Sequence, residues 1–287
     1  TTFRCEVGGI FKRLTRSFGL QVRWEKFRDP QKAMDALDRK IEEGIPVGCR
    51  TGGYWLPYFP PAFRFHFNMH NLVVIGREND HYIISDPVFP DLERCHRKDL
   101  MKARFAKGAM APRGTMYYMT RIPEKVPFAR SVKNGIRIVS RRMLHTPGPI
   151  IGVKGIRYLA KQVTKWPEKL GQRKAMLYVT QLIRMQEELG TGGGGFRFMY
   201  AAFLQEAAER LQAPALQNLS HKMTAAGDLW REFAVTGARQ CKGRAGENDS
   251  FAAMTDILME CADREEEIYR ELLPFIRSIE TAAEAVE

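Results

Sequence analysis

At the proline-bounded stretch "PEKVP", residues 123–127, the apolar residues of this chain change their period. Ahead of it lie runs rich in β-branched and aromatic residues separated by turn clusters: "IPVGCRTGGYW", "FHFNMHNLVVIG", "HYIISDP" and "GTMYYMTRI". Such runs read as strands. Behind it come "FARSVKNGIRIVSRRMLH", "GIRYLAKQVTKWPEKL", "RKAMLYVTQLIRMQEELG", "FRFMYAAFLQEAAERL", "SHKMTAAGDLWREFAVTG" and "DSFAAMTDILMECADREEEIYRELLPFIRSI", all with the 3.6-residue apolar spacing of amphipathic helices. A strand-period pattern cannot pack as a helix, nor the reverse, so the expected organisation is an α+β domain with an antiparallel sheet over residues 1–125 and a helical domain over 126–287. Within the first domain two helices are expected before the sheet. One is "GGIFKRLTRSFGL", with Ile10, Phe11, Leu14 and Phe18 at helical spacing. The other is "DPQKAMDALDRKIEEG", with Asp29 as N-cap, Pro30 in the first turn and Gly44 beyond the end. A third short helix, "RKDLMKARFAKG", precedes the last strand.

The chain has 287 residues, of which 44% are apolar, enough for real cores. No apolar run approaches the roughly 20 residues that a membrane helix needs. Five cysteines (Cys5, Cys49, Cys95, Cys241, Cys261) form no CxxC pair, which fits reduced thiols and a cytoplasmic location. The net charge of +12 is unevenly spread: residues 121–175 hold 14 Lys and Arg against 2 Asp and Glu, while residues 176–287 hold 11 against 18. Arg130, Lys133, Arg137 and Arg141 recur at three or four residues, on one face of an expected helix, with Ile136, Val139 and Met143 on another. Such a face is a solvated surface, a docking site for something acidic, or, since the helix is basic and amphipathic, a contact for a membrane surface. No nucleic-acid-binding motif accompanies it, so no nucleic acid is expected.

The candidate chemistry lies in "FRFHFNMHNLVVIGRENDHYIISDPVF", residues 63–89. A hairpin of "LVVIG" and "HYIIS" about the turn "REND" returns Asp86 to the neighbourhood of His70. The two side chains share a face only in registers such as 70 or 72 opposite 86. Two readings stand: an incidental histidine beside a turn-forming Asp-Pro, or the base and orienting acid of a nucleophilic triad. His66, an even step from His70, allows a metal pair, but no third ligand is spaced for it and no metal is expected.

This stretch resembles the His-to-Asp hairpin of papain-like cysteine enzymes of the bacteriocin-leader peptidase clan, and more narrowly the butirosin biosynthesis protein H family. "GIPVGCRTGGYWLPYFP", "DLMKARFAKGAMAPRGTMYY" and "GTGGGGFRFMYAAFLQEAAE" are similar to that family as well, so the resemblance covers essentially the whole chain. It implies a papain-like fold followed by an all-α domain, and transfer of an acyl group from an acyl carrier protein to a small amine acceptor through a cysteine thioester, in secondary-metabolite biosynthesis. Other readings are a peptidase or amidase on the same hairpin, and a binding subunit without a nucleophile.

Carried over, His70 matches the catalytic base and Asp86 the orienting acid. No cofactor is expected beyond the phosphopantetheine arm that the carrier delivers. The family's nucleophile sits in a His-Cys-Glu motif, and its counterpart is expected upstream of Thr1, on a missing N-terminal segment. Cys5, in "FRCEVGGIFKRL" ahead of a helix, and Thr1 with its own amine are weaker candidates. Tyr54, Trp55 and Tyr58 are plausible walls of a substrate channel, or core. Asn68 and Asn71 flank the base and could bond substrate. Arg197 and Tyr200, after the "GTGGGG" loop, are further substrate-binding candidates, and that loop could cradle a phosphate. The Arg130, Lys133, Arg137, Arg141 face is the expected carrier-protein docking surface.

Overall fold

A computed structural model of the chain describes residues 9–61, 64, 66–188, 191–246 and 249–283, with side chains to Pro274. The chain divides between Pro127 and Phe128 into two compact units. The first is α+β, and the second is helical.

In the first unit the described elements are α1 (Gly9–Phe18), β1 (Gln21–Glu25), α2 (Pro30–Glu42), β2 (Val47–Thr51), β3 (His70–Glu78), β4 (His81–Ser85), β5 (Glu93–His96), α3 (Arg97–Arg104) and β6 (Met116–Arg121). The six strands form one antiparallel sheet in the order β1-β6-β2-β3-β4-β5. The start of α2 follows local chemistry: Asp29 accepts from the Lys32 N–H, and Pro30 occupies the first turn, where its missing N–H costs nothing. Met34 and Leu37 of α2, and Leu100 and Ala103 of α3, pack with Val47, Cys49, Leu72, Val74, Tyr82, Ile84, Cys95 and Met116 from alternate positions of the strands. The opposite face carries an aromatic group in which Phe11 of α1 meets Trp24 and Tyr117.

Two of the six strands, β1 and β5, were not expected from the sequence. "ERCH" buries only Cys95, and "QVRWE" buries no residue, so neither shows the apolar alternation that marks a half-buried strand. The run "FHFNMH" was expected to be part of a strand that begins instead at His70.

The hairpin of β3 and β4 holds the main geometric feature of the unit. Its two-residue turn is Asn79–Asp80, with Asn79 in the left-handed region at φ 53°. From the turn, Glu78, Arg77 and Gly76 face His81, Tyr82 and Ile83. Carried on unshifted, that pairing would set Val73 opposite Asp86 and turn His70, Leu72 and Val74 to the face away from Tyr82, Ile84 and Asp86. Instead the register shifts between Val74 and Gly76, so that Val74 faces Ile84 and Val73 faces Ser85. Ile75 is the extra residue of a β-bulge, 41% exposed. Leu72 thereby takes the place opposite Asp86, and His70, Leu72, Val74, Tyr82, Ile84 and Asp86 share one face.

The second unit contains α4 (Phe128–His145), α5 (Gly152–Leu170), α6 (Gln172–Glu187), α7 (Arg197–Arg210), α8 (Pro214–Cys241) and α9 (Phe251–Ala283). One core gathers Val132 and Ile136 of α4 with Leu204 of α7, Met223 of α8 and Leu272 of α9. Another gathers Ile156 and Val163 of α5 with Val179 of α6, Phe233 of α8 and Leu258 of α9. The long helices α8 and α9 contribute to both. No helix among the described residues is long and apolar enough to cross a membrane.

Deletion of Ile75 should leave a regular hairpin with every pair on either side intact, and change the melting temperature by no more than about 5 °C. Deletion of Val73, in the stretch paired with both β2 and β4, should turn Leu72 and His70 to the wrong face and abolish the cooperative unfolding transition of the first unit; thermal melts of the two variants check both outcomes.

Candidate active site

The bulge brings His70 Nε2 to 2.7 Å from Asp86 Oδ2. The Asp86 side chain has no exposed surface, and that of His70 keeps 11%. A buried carboxylate requires partners for its lone pairs, and Asp86 has three. Oδ2 accepts from the Tyr58 hydroxyl at 2.8 Å as well as from His70, while Oδ1 accepts from the Val88 N–H at 3.0 Å. The last contact is an Asx-turn made by Asp-Pro-Val. The turn-forming aspartate and the orienting aspartate are therefore the same residue, using different oxygens.

Burial alone pushes the Asp86 carboxyl up, but the bonds from His70, Val88 and Tyr58 outweigh it and hold the carboxyl below its ordinary value. Burial, reinforced by the negative charge of Asp86, pushes the Tyr58 phenol far above its usual value, so Tyr58 stays a proton donor. With Asp86 accepting from Nε2–H, the neutral ring carries its lone pair on Nδ1, the atom available to act as a base. No described group bonds Nδ1. Phe59 meets the ring edge-on at 5.2 Å, and the Thr51 hydroxyl fixes the His70 backbone by reaching its carbonyl at 3.4 Å from the neighbouring strand.

Tyr58 was expected as a channel wall. The turn that carries it is stapled by Arg64, which donates to the carbonyls of Phe59 and Pro57. Tyr54 and Trp55 lie in a single 3-10 turn and remain about 40% exposed; Tyr54 stacks on His66 at 4.2 Å. His66 is thus paired with Tyr54 and His70 with Asp86, and among the described residues no group of three His, Cys, Asp or Glu side chains could hold a metal ion. Asn68 is buried and donates to the Lys107 and Ala109 carbonyls, fastening the loop beyond α3. Asn71 donates to the Met69 carbonyl within its own segment.

Cys5 lies outside the described residues. Of the other thiols, Cys49 shares a face with Leu72 and is fully buried, and burial pushes its pKa up. Cys95 is likewise buried and pushed up to about 12. Neither is bonded to His70.

The remaining candidates lie in the helical unit. Arg197 donates from Nε and Nη2 to the two oxygens of the fully buried Glu265, at 2.8 and 3.0 Å, and stacks over Trp230, whose indole N–H bonds the same carboxylate at 2.7 Å. The Tyr200 hydroxyl is buried without a hydrogen-bond partner among the described residues. Both therefore sit in a packed helical interior. Gly192 to Gly195 all take positive φ, from 51° to 82°, which explains the glycines there. Two N–H groups of this loop are taken by the chain itself: Gly193 bonds Thr191 Oγ1, and Gly194 bonds the Glu187 carboxylate. On α4, Val132, Ile136 and Ser140 form the buried stripe; Arg130, Arg137 and Arg141 are exposed and Lys133 is half-buried. None of the four has an ion-pair partner among the described residues; Arg137 bonds Asn134.

An α+β unit that aims a carboxylate-held histidine from the end of its sheet, joined to a helical unit, is the class of protein these features define. Residues 98–272, more than half of the chain, match the family Domain of unknown function (DUF4872), and the chain belongs to that family. Residues 1–87 match Butirosin biosynthesis protein H, N-terminal, which bears out the butirosin H-like character expected from the sequence. No curated protein matches the chain. Among solved structures the chain is similar to a C39-like peptidase from Bacillus anthracis, at 15% identity and a TM-score of 0.30, over 43% of this chain and 63% of that one. The chain thus spans less than two thirds of that peptidase.

Asp86 is expected to stabilise the fold in a pH-dependent way. Its folded pKa lies below the unfolded value of about 3.9, so its contribution is full above roughly pH 5 and is lost as pH falls through the folded pKa. Asp86→Ala, which strands Tyr58 and His70 Nε2, should cost roughly 2–4 kcal/mol at pH 7, with a smaller gap from wild type at pH 3, measured by urea unfolding at both pH values. In the helical unit, Arg197→Leu leaves Glu265 buried without its cation and should cost about 3–5 kcal/mol, whereas the double variant Arg197→Leu/Glu265→Leu should recover most of that loss in the same assay.

Proposed function

We propose that the protein is a papain-like cysteine acyltransferase of secondary-metabolite biosynthesis, which moves an acyl group from an acyl carrier protein to a small amine. The observation that carries this reading is the pair of His70 and Asp86, with Nε2 occupied and Nδ1 left for a thiol. In the first half-reaction His70 Nδ1 takes the proton of a cysteine thiol. The thiolate attacks the carrier-bound thioester, and the imidazolium returns the proton to the departing phosphopantetheine sulfur. In the second, the amine attacks the acyl-cysteine while His70 removes its proton, and the cysteine leaves. Asp86 stays ionised throughout and stabilises the imidazolium at each step. The nucleophile in this reading is a cysteine outside the described residues: burial holds Cys49, Cys95 and Cys261 as inert thiols, and Cys241, in the helical unit, donates to the Met176 carbonyl.

The resemblance of the first 87 residues to butirosin biosynthesis protein H supports the choice of reaction. The unpaired basic face of Arg130, Lys133, Arg137 and Arg141 is the surface we assign to the acidic carrier protein, whose association it would steer. The four described cysteines are free thiols, in keeping with a reducing cytoplasm.

Full-length protein mixed with an acyl-loaded carrier protein should gain the mass of the acyl group in intact-protein mass spectrometry. His70→Ala should slow that gain by about a hundredfold or more. An adduct that forms equally fast in the variant, or cleavage of a peptide with no carrier present, would overturn the proposal.

A further inference from the structure

On the first unit a cleft of about 270 Å³ is lined by Lys26, Arg50, Met110, Ala111, Pro112, Arg113 and Thr115. Three of these side chains are cationic, and no carboxylate lines the cleft. None of the three has an ion-pair partner among the described residues. Glu25, the acid next to Lys26 in sequence, is committed to the Tyr118 hydroxyl at 2.7 Å and to Arg23 at 3.3 Å. Three cations held together without a counter-charge repel one another, and an anion bound among them would relieve that cost.

The loop on one side of the cleft is held in place rather than merely adjacent. Gly108, Met110, Arg113 and Gly114 all adopt positive φ, and two of these are not glycine. Such backbone persists only where its surroundings over-determine it. Here they do. Asn68 donates to the Lys107 and Ala109 carbonyls, the fully buried Arg104 reaches the Gly114 carbonyl at 3.4 Å, and Thr115 Oγ1 caps the Pro112 carbonyl at 2.6 Å. A side chain at Gly114 would strike the Phe105 ring at 2.6 Å, so the loop backbone is seated against α3.

The cleft also lies at the same end of the sheet as the base. Lys26 follows β1, Thr115 precedes β6, and the Arg50 N–H bonds the Thr115 carbonyl. Arg50 adjoins Thr51, which is paired with His70, so the Arg50 and His70 Cα atoms are roughly 6–7 Å apart. Asn68, which ties down the loop, is two residues from His70. Because strand side chains alternate, Arg50 projects from the face opposite His70, and a ligand held in the cleft would extend round the end of the sheet to reach the base.

We infer that this cleft is a phosphate-binding site, with Lys26, Arg50 and Arg113 as its cations, holding a phosphate ester whose reactive end approaches His70. Two sources share that chemistry: the phosphopantetheine arm of the acyl donor, and a free phosphorylated small molecule. Only the first rests on the acyl-transfer reading. Phosphate binding is measurable without turnover, so failure of one is distinguishable from failure of the other.

The test is calorimetric titration of the protein with phosphopantetheine, pantetheine, inorganic phosphate and glucose 6-phosphate. The variant is Lys26→Gln/Arg113→Asn, which changes two exposed residues and keeps at position 113 a side chain that tolerates left-handed backbone. Phosphopantetheine should bind about tenfold or more tightly than pantetheine, and the variant should lose that margin. Affinity should fall between about 50 and about 200 mM salt. Glucose 6-phosphate binding as tightly as phosphopantetheine would assign the site to a free phosphate ester; weaker binding assigns it to the arm. Absence of binding by every phosphate probe, or a variant that keeps full affinity, would overturn the inference.

Discussion

A carboxylate with no exposed surface at the end of a sheet is costly, and much of the first unit is arranged around the need to satisfy Asp86. Its oxygens are filled from three directions by His70, Tyr58 and the Val88 N–H. Each donor depends on a separate device: the bulge at Ile75 for His70, the Arg64 staple for Tyr58, and the Asp-Pro-Val turn for Val88. Losing any one leaves a buried acceptor or donor unpaired, which costs more than the bond itself contributes. The constraint therefore selects one geometry of the hairpin, and that geometry fixes which nitrogen of His70 remains free.

The same hairpin shows where sequence reasoning ends. The condition that His70 and Asp86 share a face follows from the two-residue period of a strand, and the observed register, with Leu72 opposite Asp86, is among the even ones expected from the sequence. The bulge that secures it was not legible. "LVVIGRE" carries three consecutive β-branched residues, so nothing in the run marks Ile75 rather than Val73 as the one left out of the ladder. Tyr58 was visible as an aromatic near the site, but its role was hidden because it lies 28 residues from Asp86 and the contact depends on how the intervening turn folds. The strands β1 and β5 were missed for a related reason. Edge strands bury little, and burial is what writes the period into the sequence.

The helical unit was legible at the level of elements, because helix periodicity survives in each segment even where Pro167 falls within α5. The burden of Arg197 was less visible. An arginine after a glycine run invites a ligand reading, yet its guanidinium neutralises Glu265, a carboxylate 68 residues later on α9 that has no exposed surface. Glu265 in turn has a second donor in Trp230. Both units thus contain a buried carboxylate served by several donors, and they differ in one respect. Asp86 leaves a partner, His70, with a free lone pair, whereas Glu265 has for partners a guanidinium and an indole N–H, neither of which can act as a base at neutral pH.

That difference separates a structural network from one that can do chemistry. A guanidinium is always protonated and an indole N–H only donates, so neither partner of Glu265 offers a lone pair, and the cluster ties α7, α8 and α9 together. An imidazole held at one nitrogen by a carboxylate keeps a lone pair on the other, and the carboxylate can stabilise a proton taken up there without itself changing protonation. The depressed Asp86 carboxyl is the physical requirement for this, since an aspartate that took up a proton would cease to stabilise the imidazolium. Burial opposes that requirement, and the His70, Val88 and Tyr58 donors together restore it. The neutral hydroxyl and the backbone amide are therefore as much a part of the His70–Asp86 pair as the histidine ring.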